Sequence, residues 1–194
     1  MIRPLSALVA ACLTAACAPA DPGGPRWIEP ASPDARVAIP TPPPRDGRPS
    51  DQNEARVLAA HNAERSEQGV APLVWSEDLE AEARGWAREL IATGRFAHDP
   101  RPHGHGENLW TGWGGRVFTP EEMVEDWIAE RADYRPGVFP NVSRTGDWTA
   151  VGHYTQLIWS GTTHVGCAIE TRDDQQLLAC RYSPPGNIDG RRPL

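Results

Sequence analysis

"HYTQLIWSGTTHVGCAIETRDDQQLLACRYS", residues 153–183, holds three apolar runs separated by small and polar punctuation, and their reading decides the fold. "HYTQLIW" (153–159), "HVGCAIE" (164–170) and "QLLACRYS" (176–183) have the length and the β-branched or aromatic content of buried or half-buried strands. The polar "TRDDQ" (171–175) between the last two reads as a turn. If those two strands pair as a hairpin, Cys167 and Cys180 can face one another, and in an oxidising compartment a disulfide between them is predicted. Closing so small a loop stabilises by about 3 kcal/mol in the chain-entropy model. Zinc is the competing use of cysteine, but the chain has no C-x-x-C, and beyond residue 17 only these two cysteines remain.

Upstream of these runs, three helices can be read with their punctuation. The first, near 52–68, places Leu58, His61, Asn62 and Arg65 on one side before "QGVAPL" ends it. His61, Asn62 and Arg65 read as a buried polar network that locks this helix to the sheet. The second helix opens at Ser76, a good N-cap, carries Leu79, Ala83, Trp86, Ala87 and Leu90 on one face, and stops at Gly94. A third opens with "TPEEM", where Thr119 and Glu122 form a capping box around Pro120. On it Met123, Trp127, Glu130 and Tyr134 recur at helical spacing, so a carboxylate shares the apolar face. Such a group must be paired, hydrogen-bonded or protonated.

Between the second and third helices, "HDPRPHGHGENLW" (98–110) concentrates three of the six histidines. Histidine is the usual metal ligand and proton carrier. His103, His105 and Glu107 would share one side if the stretch were extended, although Gly104 and Gly106 argue against a regular strand. Trp110, Trp113 and Trp148 fall in loop-like segments near this candidate site, where an indole can serve as core or as ligand wall. His164 reads as an ordinary strand-end residue, and Tyr154, Gln156 and Tyr182 as packing and hydrogen-bonding groups.

The ends and the composition bound the rest. With 194 residues and 39% hydrophobic content, one ordinary domain is expected, over 51–194. A net charge of −7 excludes a basic nucleic-acid surface. All 19 basic residues are arginine, which excludes lysine-nucleophile chemistry. "MIRPLSALVAACLTAACAPA" (1–20) reads as an export signal, too short to span a bilayer, spanning 1–17 and of lipoprotein type. Cys17 is the expected lipidation site; "VAAC" ending at Cys12 fits a lipoprotein box better but leaves a very short signal, and an ordinary cleavage without lipid is the alternative. Residues 18–50 contain ten of the twenty prolines and read as a disordered tether, able to hold a domain up to roughly 100 Å from an anchor. The expected location is the periplasm or cell surface, on a membrane through the N-terminal lipid, or otherwise secreted.

"GHYTQLIWSGT" (152–162) and "LLACRYSPPGNI" (177–188) resemble the two signature motifs of the CAP superfamily, the cysteine-rich secretory, antigen 5 and pathogenesis-related 1 proteins. "HNAER" (61–65) and "GENL" (106–109) are similar to its two shorter motifs, in the expected order. The resemblance covers about residues 53–191 and identifies the chain as an exported bacterial member. It implies an α+β fold, a three-layer α-β-α sandwich with a central antiparallel sheet. It also implies a cleft holding two histidines and two glutamates, often with a divalent metal, usually Zn2+. Carried over by position, these are His153, Glu107, Glu130 and His98. His105 is the alternative to His98, because eight residues separate His98 from Glu107, more than the family spacing, and His103 reads as a solvated loop residue.

Two imidazoles with carboxylate oxygen suit zinc and leave a position open. With Glu107 and Glu130 as cleft acids, metal-assisted hydrolysis of a peptide or ester is conceivable. The chain lacks H-E-x-x-H and G-x-S-x-G, however. The expectation is therefore a monomeric binding or envelope-interaction module for a lipid, glycan or peptide, with a zinc hydrolase as the alternative. The segment 131–148 would form the cleft rim.

Overall fold

The computed structural model describes residues 46–101 and 103–194. The expected signal peptide (1–17), with Cys12 and Cys17, and the expected tether up to residue 45 lie outside the described residues. Helix α1 (Gln52–Glu67) begins at Asp51, whose carboxylate accepts from the Glu54 amide while Glu54 reaches back, a capping box that satisfies orphan amides. A two-residue strand β1 (Val74–Trp75) leads to Ser76, which caps α2 (Glu77–Thr93). Helix α2 stops at Gly94, whose left-handed backbone (φ 66°) ends it as expected. Strand β2 (Gly106–Gly112) precedes α3 (Pro120–Ala129), and short 3-10 turns follow at Glu130–Ala132 and Trp148–Val151. The chain ends with α4 (Gly152–Leu157), β3 (His164–Arg172) and β4 (Gln175–Ser183).

The sheet has strand order β1-β3-β4-β2. Strands β3 and β4 form the antiparallel hairpin, with Cys167 opposite Cys180 and a disulfide joining them. Strand β2 pairs antiparallel with β4 so that Glu107 lies opposite Arg181. Only the short β1 runs parallel, beside β3. Side chains alternate across this sheet, and the two faces have separate cores. One face packs on α2 through Leu90, Trp86, Leu109, Leu177 and Ala179. The other packs on α1, α3 and α4 through Trp127, Tyr154, Ile158, Leu178 and Tyr182. This is the expected three-layer arrangement.

Two sequence expectations are corrected. Residues 153–159 are not a strand: Gly152–Leu157 is helical. Tyr154, Leu157 and Ile158, three and four residues apart, are all fully buried, and a continuous apolar run carries no period by which to separate helix from strand. Conversely, "GENLWTG" is a regular strand despite its flanking glycines, because β4 supplies a partner along its whole length.

The polar network on α1 forms as read. Arg65 is fully buried and donates to the carbonyl oxygens of Ala71, Leu157, Trp159 and Thr162, so one guanidinium ties α1 to the loop after α4. Asn62 pairs with the Leu73 backbone in both directions.

Candidate functional site

Four segments distant in sequence meet at the start of β2. Glu107 is the second residue of β2, His98 lies in the loop after α2, Glu130 caps the end of α3, and His153 stands in α4. His98 Nδ1 is 2.5 Å from Glu107 Oε1, and His153 Nδ1 is 2.6 Å from Glu130 Oε1. A carboxylate oxygen can only accept, so Nδ1 carries the hydrogen in both dyads, and a neutral ring leaves Nε2 as a bare lone pair. The cleft measures about 240 Å³ and is lined by His98, Glu107, Asn108, Trp148, His153 and Asn187, among others. Glu130 stands behind His153 rather than in the wall.

Each dyad is held from behind. Glu107 Oε1 also accepts from the Asp99 amide, and Oε2 lies 3.0 Å from Arg181 Nη2, an ion pair not aligned as a hydrogen bond. Arg181 Nη2 donates to Asp99 Oδ2 at 2.7 Å. These three side chains are only 7%, 4% and 1% exposed, so water screens their attraction little. Burial alone would raise the Asp99 pKa. The hydrogen bonds from Arg101 and His103 and the charge of Arg181 outweigh it and hold the carboxyl well below its usual range. The hydrogen bond to Glu107 raises the His98 pKa, against partial burial and the charge of Arg181.

On the other dyad, Glu130 Oε2 accepts from the Tyr154 amide at 3.0 Å, and the Trp127 indole stacks on the His153 ring at 5.9 Å. Asn108 donates to the His153 carbonyl and to the Tyr182 hydroxyl. Tyr182 lies 2.8 Å from His61 Nε2, and His61 Nδ1 lies 2.8 Å from the Val57 carbonyl. Because that carbonyl requires a hydrogen on Nδ1, Nε2 accepts from Tyr182 and the chain of bonds has one direction, from Asn108 into α1.

Of the predicted site residues, His98, Glu107 and His153 face the cleft. His105 does not: its side chain is buried against Glu82, with Nδ1 at 2.9 Å from Oε2. His103 is bound to Asp99 Oδ2 at 2.9 Å, so it is a paired residue and not a solvated one. The expected four-ligand set is not assembled, because both glutamates engage imidazole Nδ1 atoms and backbone amides. Among the described residues no three His, Cys, Asp or Glu side chains are disposed to hold a metal ion. In each dyad Nδ1 is engaged by the carboxylate, and Nε2 is the ring nitrogen left over.

Trp148 lines the cleft, Trp110 is buried in β2, and Trp113 lies beyond the opposite end of β2. Sequence reasoning missed Arg181, Asp99 and Asn187. A lone arginine within the apolar run "LLACRYS" was the available signal for the first.

An α-β-α sandwich with an imidazole–carboxylate dyad on each side of a cleft at one end of its sheet defines a class of protein. The pattern of the CAP, or cysteine-rich secretory protein, family matches residues 58–182. A pathogenesis-related protein of PR-1 type from Sambucus nigra is 38% identical over 135 residues, 69% of this chain and 77% of that protein. Pathogenesis-related protein 1C from Nicotiana tabacum is 37% identical over 139 residues, covering 70% and 77%. Among solved structures, NaASP2, crystallised with Zn2+, shares the fold with a TM-score of 0.64 at 22% identity, over 78% of this chain and 89% of that one. The chain belongs to the CAP family.

Proposed function

We propose that the chain is a binding module whose cleft takes a small ligand through a divalent cation, Zn2+ first, held by Nε2 of His98 and Nε2 of His153. The observation that carries this is the pair of dyads. Each imidazole donates Nδ1–H to a carboxylate, which orients the ring and raises its basicity. Two protein ligands leave the remaining positions to solvent or to a ligand, so the site is an exchangeable one. NaASP2 crystallised with Zn2+ is consistent with this reading. A volume of about 240 Å³ suits a small group or the end of a longer lipid, glycan or peptide.

Binding is favoured over hydrolysis by the same bonds. A general base must be within reach of the water it deprotonates. Glu107 is held by His98, the Asp99 amide and Arg181, and Glu130 by His153 and the Tyr154 amide, so neither carboxylate is placed for that role. Calorimetric titration of the full chain with Zn2+ is expected to show one site. His98→Ala and His153→Ala should each abolish it, and Glu107→Gln and Glu130→Gln should weaken it by roughly 10–100-fold. Unchanged zinc affinity in the two histidine variants sinks the reading. Metal-dependent peptide or ester turnover lost in both glutamine variants replaces it with the hydrolase.

The proposal extends to a membrane-tethered, exported protein acylated at Cys17, supported by the small-residue pattern around that cysteine. Radiolabelled palmitate should enter the wild type and not Cys17→Ser. Loss of label in Cys12→Ser instead moves the anchor to that residue.

A further inference from the structure

Seven tryptophans are described. Trp75, Trp86, Trp110, Trp127 and Trp159 are buried, which leaves Trp148 in the cleft wall and Trp113, 55% exposed. Trp113 follows the last residue of β2, roughly 20 Å along the strand from Glu107. It lines a depression of about 360 Å³ between the last turn of α2 and the β3–β4 turn, whose walls carry Arg172, Asp173, Asp174 and Gln175. We infer that this depression is a second binding site, for a neutral oligosaccharide, with Trp113 as the stacking platform.

The site is built rather than incidental. Gly114 and Gly115 follow Trp113 with φ of 115° and 70°, a path that other residues rarely take, and it shapes the loop carrying the indole. Arg172 Nη1 donates to the Ala92 carbonyl at 3.2 Å, and Gln175 Nε2 to Thr111 Oγ1 at 3.1 Å. Two of the polar walls are therefore anchored before a ligand arrives, and less ordering remains to oppose binding.

The chemistry selects the ligand class. A pyranose presents an apolar C–H face that an indole can cover and a rim of hydroxyls that both donate and accept. Carboxylates accept, a guanidinium donates, and a carboxamide does both, so the four wall residues answer that rim. An anion would meet Asp173, Asp174 and the carbonyl end of α2, and the one cation of the wall, Arg172, is already engaged by Asp173 and by the Ala92 carbonyl. A purely apolar ligand would strip water from two carboxylates without replacing it. A cation would share the wall with Arg172.

The test is an NMR titration of the full chain with N,N′,N″-triacetylchitotriose and with maltotriose, following the Trp113 indole N–H, assigned as the signal missing from Trp113→Phe. A saturable shift with at least one trisaccharide is expected. Trp113→Ala should abolish binding in saturation-transfer difference spectra, and Asp174→Asn should weaken it roughly tenfold. Trp148→Ala and His153→Ala, which alter the cleft, should leave it unchanged, so failure here is distinct from failure of the zinc site. Absence of a saturable shift with both sugars overturns the inference, as does binding that persists in Trp113→Ala or disappears in Trp148→Ala. A shift produced only by tetramethylammonium overturns it in favour of a cation site.

Discussion

His61 is a single side chain whose burial has a consequence for stability near neutral pH. Burial pushes its pKa down to about 4; the Val57 carbonyl opposes this, and the charge of Arg65 adds to it. The unfolded chain takes up the same proton near pH 6.5. Between those values the unfolded state binds a proton that the native state refuses, so the contribution of His61 to stability falls as pH drops from 6.5 to about 4 and changes no further below. The loss is on the order of 3 kcal/mol over that window. Urea unfolding at a series of pH values should show it. His61→Gln should be less stable at neutral pH but flatter across the window, and an equally steep profile in the variant would assign the slope to other groups. At the same scale, Glu130 was legible from its spacing as an anomaly on an apolar helix face, whereas His153, 23 residues away, was placed in the same cleft only through the family resemblance.

At the scale of elements, the contact that sets the α2 layer on the sheet is a missing side chain. A Cβ on Gly166 of β3 would lie 2.2 Å from the Glu80 amide nitrogen and 2.6 Å from the Ser76 carbonyl oxygen, both backbone atoms of the first turn of α2. Backbone cannot swing aside, so Gly166→Ala should destabilise by about 1–3 kcal/mol or more in chemical denaturation. Gly85, exposed on α2 with nothing within 4 Å of its Cβ position, is the contrast. Gly85→Ala should stabilise by up to about 1 kcal/mol through helix propensity. The helices α1, α2 and α3 and the β3–β4 hairpin were readable because caps, turns and periodicity are local signals. The helix α4 was not, because its polar residues Thr155 and Gln156 are buried together with Tyr154 and Leu157, so polarity along it does not mark an outer face.

For the molecule as a whole, β2 links the two proposed sites. Its first residues build the cleft, and the loop after its last residue carries the Trp113 depression. Zinc in the cleft would join loop 98, β2 and α4 in one site that exists only in the folded state. By mass action it should raise the unfolding free energy by about 2.7 kcal/mol at a free concentration one hundred times the dissociation constant. Thermal scans of the wild type with zinc and with a chelator should therefore separate. Scans of a His98→Ala/His153→Ala variant should coincide. Among the described residues no helix is long and apolar enough to cross a membrane.

Helices α1 to α3 with their caps, the β3–β4 hairpin, the cysteine pair and the family were present in the amino-acid sequence, because each depends on neighbours within a few turns or on motifs written contiguously. Which histidine of 98, 103 and 105 turns to the cleft, and that Arg181 and Asp99 stand behind Glu107, was decided only in three dimensions. Those choices depend on strand register, which brings Arg181 opposite Glu107 across β4 and β2, and on competition among fixed carboxylates. Glu82 takes His105, Asp99 takes His103, and Glu107 is left for His98.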